Sequence, residues 1–281
     1  MRAGGGVLET DLPESRVHPD ASAIRFENVT IEFEGKEVLE NISFEVKRGE
    51  MRILLGPAGV GKSVLLKLAD GLFKPDSGRI FVFGFEVSVM PEDELFRLRE
   101  SIGMVFQESA LFDSLTVRDN VGYRLIQEHV PDDEIDSRVS EALRFVELEH
   151  TMTKLPSELS GGMRRRVAIA RAIITKPELI LYDSPTGGLD PITSTTIIDL
   201  IIKQRDVSKT SSILVTHRLQ DAFMLATHRF NKDTGEIVEL PEHQTDPSTS
   251  FLVLHQGRLA FDGSTHDLVH SDDEFLKQYL A

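Results

Sequence analysis

The eight residues Gly56-Pro57-Ala58-Gly59-Val60-Gly61-Lys62-Ser63 fit the pattern GxxxxGK[ST]. Glycines at these spacings let successive backbone N–H groups converge on an anion. The lysine brings a point charge to the outer phosphates of a nucleotide, and the serine hydroxyl can ligate Mg²⁺. Arg52-Ile53-Leu54-Leu55 reads as a short apolar strand leading in, and Val64-Leu65-Leu66-Lys67-Leu68 begins a helix that ends near Gly71. The positive N-terminal end of that helix faces the same anion.

Two other segments belong with such a loop. Leu179-Ile180-Leu181-Tyr182 is an apolar run ending on Asp183, a carboxylate placed to hold Mg²⁺ through water. Ser160-Gly161-Gly162-Met163 opens a helix running through Arg171 and Ala172; Ser160 is a natural N-cap, and the paired glycines admit a phosphate close to exposed N–H groups. One chain rarely needs two phosphate sites for one nucleotide, so the second is expected to face a nucleotide held by another subunit. Taken singly, Asp183 is also an acidic strand-end cap and 160–163 an ordinary capped helix. Beside the glycine loop, the phosphate reading of both prevails.

The elements that must position these residues follow from periodicity. Ile24, Phe26, Val29, Ile31 and Phe33 alternate, as do Ile42, Phe44 and Val46, so two strands are expected to pair through a turn at Glu34-Gly35-Lys36 as an antiparallel layer. Pro75-Asp76-Ser77-Gly78 is a turn before a strand over Arg79 to Phe83. Glu92–Arg99 and Asp132–Leu148 read as helices, giving a helical subdomain over about 90–159. Leu179–Tyr182 and Ile213–Val215 read as buried parallel strands whose polar ends lie at the ligand edge of the sheet. Phe251–Leu254 and Arg258–Phe261 read as a closing hairpin through Gln256-Gly257. Residues 1–22 mix Gly, Pro and acidic residues and are expected to form a flexible tail, leaving 23–281 as the folded domain.

Composition removes several function classes. A formal charge of −15 and a pI near 5.1 argue against a broad nucleic-acid surface, which needs clustered Lys and Arg. The absence of cysteine excludes disulfides and thiolate metal sites and fits a reducing compartment. No apolar run approaches the ~20 residues needed to cross a bilayer, and no apolar signal core opens the chain. Any membrane action therefore requires spanning helices from another polypeptide.

With these motifs in this order, the sequence resembles the ABC transporter ATPases from about Ile24 to Leu268. The resemblance implies an α/β fold: a RecA-like P-loop NTPase core with an antiparallel β subdomain and an α-helical subdomain. It makes Gly56–Ser63, with Val64 following, the Walker A loop and Asp183 the Walker B carboxylate. Gln107 becomes the Q-loop residue and, with Ser63 and Asp183, a Mg²⁺ ligand. Ser160, Gly161, Gly162 and Met163 become a variant signature with Met in place of Gln, and Gly187-Gly188-Leu189-Asp190 the D-loop. His217 becomes the switch histidine and Phe33 the aromatic that stacks on adenine. ATP and Mg²⁺ are the implied cofactors, and a second copy of the chain is the implied partner. By themselves Phe33, Gln107, Asp190 and His217 read as strand core, loop, turn and strand-end residues; their order decides otherwise.

Two positions depart from the family pattern. Ser184 stands where a Glu normally orients or deprotonates the attacking water, and losing a positioned base costs on the order of 10² to 10⁴ in rate. Slow hydrolysis led by His217 and Gln107 is the favoured explanation, with Glu108 as a replacement carboxylate or an engineered trap as alternatives. Residues 231–250 form a polar insertion where the family has a tight connection, read as a surface loop or short hairpin extension, with partner docking as the sharper alternative.

Within the family, the segments Gln107–Phe112, Asp119–Val121 and Leu155–Met163 resemble the ATPase subunits of Mla-type lipid transporters. That resemblance implies an integral-membrane permease, MCE-domain proteins, and a cytoplasmic position on the inner face of the cell membrane. Arg164–Arg166, which add to it, read otherwise as a solvated helix face. The rival readings are a nonhydrolysing ATP-gated switch and a soluble ABC protein serving DNA repair or cofactor assembly; the DNA-repair reading expects long coiled-coil or zinc insertions and a basic surface, whereas this chain has a short helical insert, no cysteine and an acidic balance.

Overall fold

The computed structural model describes residues 22–281. Along the chain the elements are β1 (Ile24–Phe33), β2 (Lys36–Val46), β3 (Met51–Leu55), α1 (Lys62–Ala69), β4 (Ser77–Val82), β5 (Phe85–Glu86), α2 (Glu92–Leu98) and β6 (Ile102–Val105). There follow α3 (Val117–Val121), α4 (Tyr123–Gln127), α5 (Asp132–Phe145), α6 (Gly161–Ile173), β7 (Leu179–Asp183), α7 (Pro191–Ser208), β8 (Ser211–Val215) and α8 (Leu219–Thr227). The chain closes with β9 (His228–Asn231), β10 (Glu236–Glu239), β11 (Thr249–His255), β12 (Arg258–Ser264), α9 (Thr265–Val269) and α10 (Glu274–Leu280). The tail expected over 1–22 lies outside the described residues except at its last position.

Three sheets result among the described residues. A six-stranded sheet runs in the order β12-β11-β3-β8-β7-β6, parallel except for β12. An antiparallel sheet runs β2-β1-β4-β5, and β9 pairs with β10 alone. The parallel strands are short and apolar because both faces are covered, and strict alternation sorts their residues between two cores. Ile53, Leu55, Ile180, Tyr182, Leu214, Phe251 and Val253 face the core built with the helices that follow β6. Leu54, Leu179, Leu181, Ile213, Val215, Leu252 and Leu254 face α1 and the antiparallel sheet.

Two expectations change. The span 90–159 contains β6, which pairs in parallel with β7 and so belongs to the core sheet, splitting α2 from the helices α3 to α5. The closing hairpin is also a core element, since β11 pairs in parallel with β3 from Thr249↔Met51 to Val253↔Leu55. Part of the 231–250 insertion is ordered as the β9–β10 hairpin. It is tied down by Arg205, whose guanidinium bonds the His228 carbonyl at 2.8 Å and pairs with Asp206 and Asp246.

Candidate functional site

Parallel strands put all their C-terminal ends at one edge, which is why motifs scattered through the sequence converge. There β3 runs into Gly56, β7 into Asp183 and Ser184, β8 into Thr216 and His217, and β6 into Phe106 and Gln107.

The loop after β3 needs its glycines. Gly56 has φ +145°, and a Cβ there would lie 2.5 Å from the Leu254 carbonyl oxygen. Gly61 has φ +105°, and its Cβ would lie 2.7 Å from Leu39 of β2, so the antiparallel sheet abuts the loop. Around Gly59 the same test meets nothing within 4 Å, leaving room for an anion. Lys62 opens α1, and its buried ammonium donates to the Gly56 and Pro57 carbonyls at 2.7 Å each. Burial lowers its pKa, with the Asp183 charge acting in opposition. Ser63 Oγ donates to Asp183 Oδ1 at 3.1 Å.

The residues fit a magnesium nucleotide. One hydroxyl and one carboxylate, adjacent and oxygen-only, suit an ion that takes most of its ligands from phosphates and water. No group of three or more His, Cys, Asp or Glu side chains able to hold a metal alone occurs among the described residues.

Ser184 is buried and left-handed at φ +47°. Its N–H donates to the Val215 carbonyl at 3.0 Å, and its carbonyl accepts from Gly187 N–H at 2.9 Å. Gln107 is exposed beside this turn; a Cβ on Gly187 would lie 3.4 Å from its Cγ and Nε2. His217 is exposed just past β8. Phe33, also exposed, ends β1 and meets Phe73 edge-on at 5.3 Å between ring centroids.

The segment 160–163 opens α6, a different helix from the one that follows the loop. Ser160 caps α6 by accepting from Met163 N–H at 3.2 Å, and Ser160 and Gly161 are exposed. Gly162 packs so closely on Thr193 that a Cβ would lie 2.4 Å from its methyl carbon. Asp190 caps α7, accepting from Thr193 N–H at 3.0 Å and from its hydroxyl at 2.6 Å, and these bonds hold its carboxyl below the usual range.

Arg165 does not lie on a solvated face. It is buried, and its guanidinium donates to Phe106 O at 3.0 Å and Gly187 O at 3.2 Å, joining the Gln107 segment to the turn after Asp183. Arg166 bonds the Val146 carbonyl at 3.1 Å, and Arg164 the Leu159 carbonyl at 2.6 Å. Arg171 donates to Ser109 O and Ala110 O at 2.9 and 2.7 Å, fixing two consecutive residues with φ of +67° and +47°. Residue-by-residue reading missed these arginines as organisers, although the apolar run Val167–Ala170 places Arg165 and Arg171 on a helix that is buried on most sides. Tyr279 was also missed: its hydroxyl accepts from Gly56 N–H at 3.1 Å.

The profile of the family described as "ABC transporter" matches residues 39–187. The chain is 35% identical, over its whole length, to the chloroplastic Protein TRIGALACTOSYLDIACYLGLYCEROL 3 of Arabidopsis thaliana, covering 79% of it. It is 35% identical to the intermembrane phospholipid transport system ATP-binding protein MlaF of Haemophilus influenzae, over 74% of this chain and 79% of that one. The methionine import ATP-binding protein MetN of Carboxydothermus hydrogenoformans is 37% identical over 77% of this chain, which spans only 65% of MetN. Among solved structures, the dimeric post-hydrolysis ATP-binding cassette MJ0796 bound to ADP and Pi superposes with a TM-score of 0.71 at 29% identity, over 86% of this chain and 98% of that one. A nucleotide-shaped loop, a carboxylate facing it from β7 and a matching family profile agree, and the chain belongs to the ABC transporter ATPases as an ATP-binding subunit of the kind that works in dimers.

Proposed function

We propose that this subunit binds Mg-ATP in the loop 56–63, closes with a second copy around the nucleotides, and drives an integral-membrane permease that moves a lipid. The observation that carries the nucleotide role is the cluster of Lys62, Ser63 and Asp183 at one sheet edge. Backbone N–H groups from Gly56 to Val64 and the Lys62 ammonium hold the phosphates, and Phe33 takes the adenine face. Ser63, Asp183 and Gln107 provide protein oxygens for Mg²⁺, which when bound neutralises charge on the phosphate oxygens. Ser160, Gly161, Gly162 and Asp190 of one copy cover the nucleotide of the other. His217 and Gln107 position the attacking water. Ser184 is no base at neutral pH, so turnover is slow.

No helix among the described residues is long and apolar enough to cross a membrane, so the spanning helices belong to a partner. Supporting a docking role, Phe96, Phe112 and Tyr123 are exposed near the Gln107 segment, with Phe112 and Tyr123 at 4.7 Å between centroids and Arg124 over Phe96. The subunit then sits on the cytoplasmic face of the membrane, and MCE-domain proteins complete the assembly.

Lipid as cargo is supported by relatives that match most of both chains: the phospholipid-transport MlaF and the Arabidopsis protein matched over the entire chain. Methionine import is the second reading, favoured by 37% identity to MetN, whose remaining third this chain does not match. The test is to isolate the tagged chain with its partners from detergent-solubilised membranes and extract bound small molecules. A co-purifying permease carrying glycerolipid supports the proposal; a permease that carries methionine and no lipid defeats it.

A further inference from the structure

We propose that Tyr279 is a positioning residue of the nucleotide loop, making the C-terminal helix α10 a working part of the nucleotide site. This rests on the reading that the loop 56–63 binds nucleotide. Gly56 is where β3 leaves its ladder with β11: Leu55 still pairs with Val253, and one residue later the backbone turns at φ +145°. Gly56 is buried, and its amide, having left the strand pattern, needs a new acceptor. Tyr279 Oη supplies it at 3.1 Å, while the carbonyl of the same residue accepts from Lys62 Nζ at 2.7 Å.

The two ends of this residue are therefore held by different parties. When Lys62 turns toward phosphate it gives up the Gly56 carbonyl. The tyrosine bond comes from α10 rather than from the loop itself, and it keeps the start of the loop in place through that exchange.

Tyr279 is itself fixed. Phe275, one helical turn earlier, stacks on it at 5.7 Å between centroids and on His255 at 3.7 Å, and His255 is the last residue of β11. Leu276 is buried, and Asp273 caps the helix by accepting from its N–H at 2.9 Å. Burial raises the phenol pKa, so Oη accepts from Gly56 while keeping its own proton.

Tyr279→Phe keeps the ring and deletes only the acceptor. Mg-ADP, which isolates loop binding from turnover, is titrated calorimetrically into the full chain, with Lys62→Ala beside it, and hydrogen exchange is followed over residues 53–61. The loop samples incompetent conformations without its tie, so affinity is expected to fall about 3- to 10-fold. Exchange should rise in 53–61 above the rest of the chain, with the nucleotide-free melting temperature lowered by only a few degrees. Unaltered affinity, or faster exchange spread evenly over the whole chain, overturns the proposal. Wild-type affinity in Lys62→Ala instead overturns the nucleotide reading beneath it. If Tyr279→Phe folds poorly, Phe275→Leu loosens the same helix and is held to the same outcomes.

Discussion

At the residue scale, the contrast between Asp183 and Ser184 governs what the site can do. Asp183 ends β7 with its carboxylate on Ser63, so the metal and phosphate binding proposed for this pair does not rest on its neighbour. Ser184 occupies the position next to it but brings only a hydroxyl, 3.5 Å from Asp183 Oδ1. Ser184→Glu is expected to raise ATP turnover on the order of 10- to 100-fold with nucleotide affinity little changed, measured as phosphate release by purified protein. An unchanged rate would show that Ser184 is not the bottleneck. Asp70, at the C-terminal end of α1, is a second residue set against its surroundings. Burial lifts its carboxyl from 3.8 to about 6, with Arg99 opposing and Glu92 adding to the rise. Between those values the folded chain holds a proton that the unfolded chain has released, so this group's contribution to stability falls as pH rises from about 4 to 6. Asp70→Asn should accordingly stabilise the fold by roughly 1 to 3 kcal/mol at pH 8 and by little at pH 4, read from urea midpoints at both pH values.

At the element scale, the parts legible in sequence were those with a local cause. Glycine chemistry marked the loop 56–63, alternation marked β1 and β2, and apolar runs marked β3, β7 and β8. What escaped was decided by distant partners. Strand β6 is four residues long with Gly103 inside it, and it is a strand because β7 pairs with it. Arg164–Arg166 look solvent-facing as a charge run, but the guanidinium of Arg165 is spent on two carbonyls from segments 59 and 22 residues away. Such a bond has no signature in local spacing. The function of α6 is correspondingly double: its N-terminal end presents Ser160 and Gly161 to solvent, and its body pins the Gln107 segment through Arg165 and Arg171. Arg165→Met is expected to leave the Gly187 carbonyl unpaired and the Phe106 carbonyl with the Ser109 N–H alone, costing about 1 to 3 kcal/mol of stability. Arg165→Lys, able to reach one of them, should cost less, and thermal melts of the two variants check the ranking.

At the scale of the whole molecule, the proposed function assigns the chain two phosphate-binding surfaces, the loop 56–63 and the start of α6. The loop 56–63 is closed from behind by β2, β11 and α10, whereas Ser160 and Gly161 stand exposed with Gly162 packed on Thr193 beside Asp190. On that reading, a nucleotide seated on Lys62 of one copy would be covered by the amides after Ser160 of the other, with the two copies meeting head to tail across two nucleotides. Each copy carries a formal charge of −15, so association must overcome repulsion, and in the proposed arrangement the bridging contacts would come from bound nucleotide with its metal. Ser160→Arg removes the cap that accepts from Met163 N–H and fills the surface where the partner's phosphate would sit. In light scattering with size exclusion, the native chain with Mg-ATP should run as a dimer and without nucleotide as a monomer. The Ser160→Arg chain should remain a monomer in both, while binding Mg-ADP as tightly as the native chain, since its own loop is untouched. A nucleotide-dependent dimer that survives this substitution would place the closing surface elsewhere on the subunit.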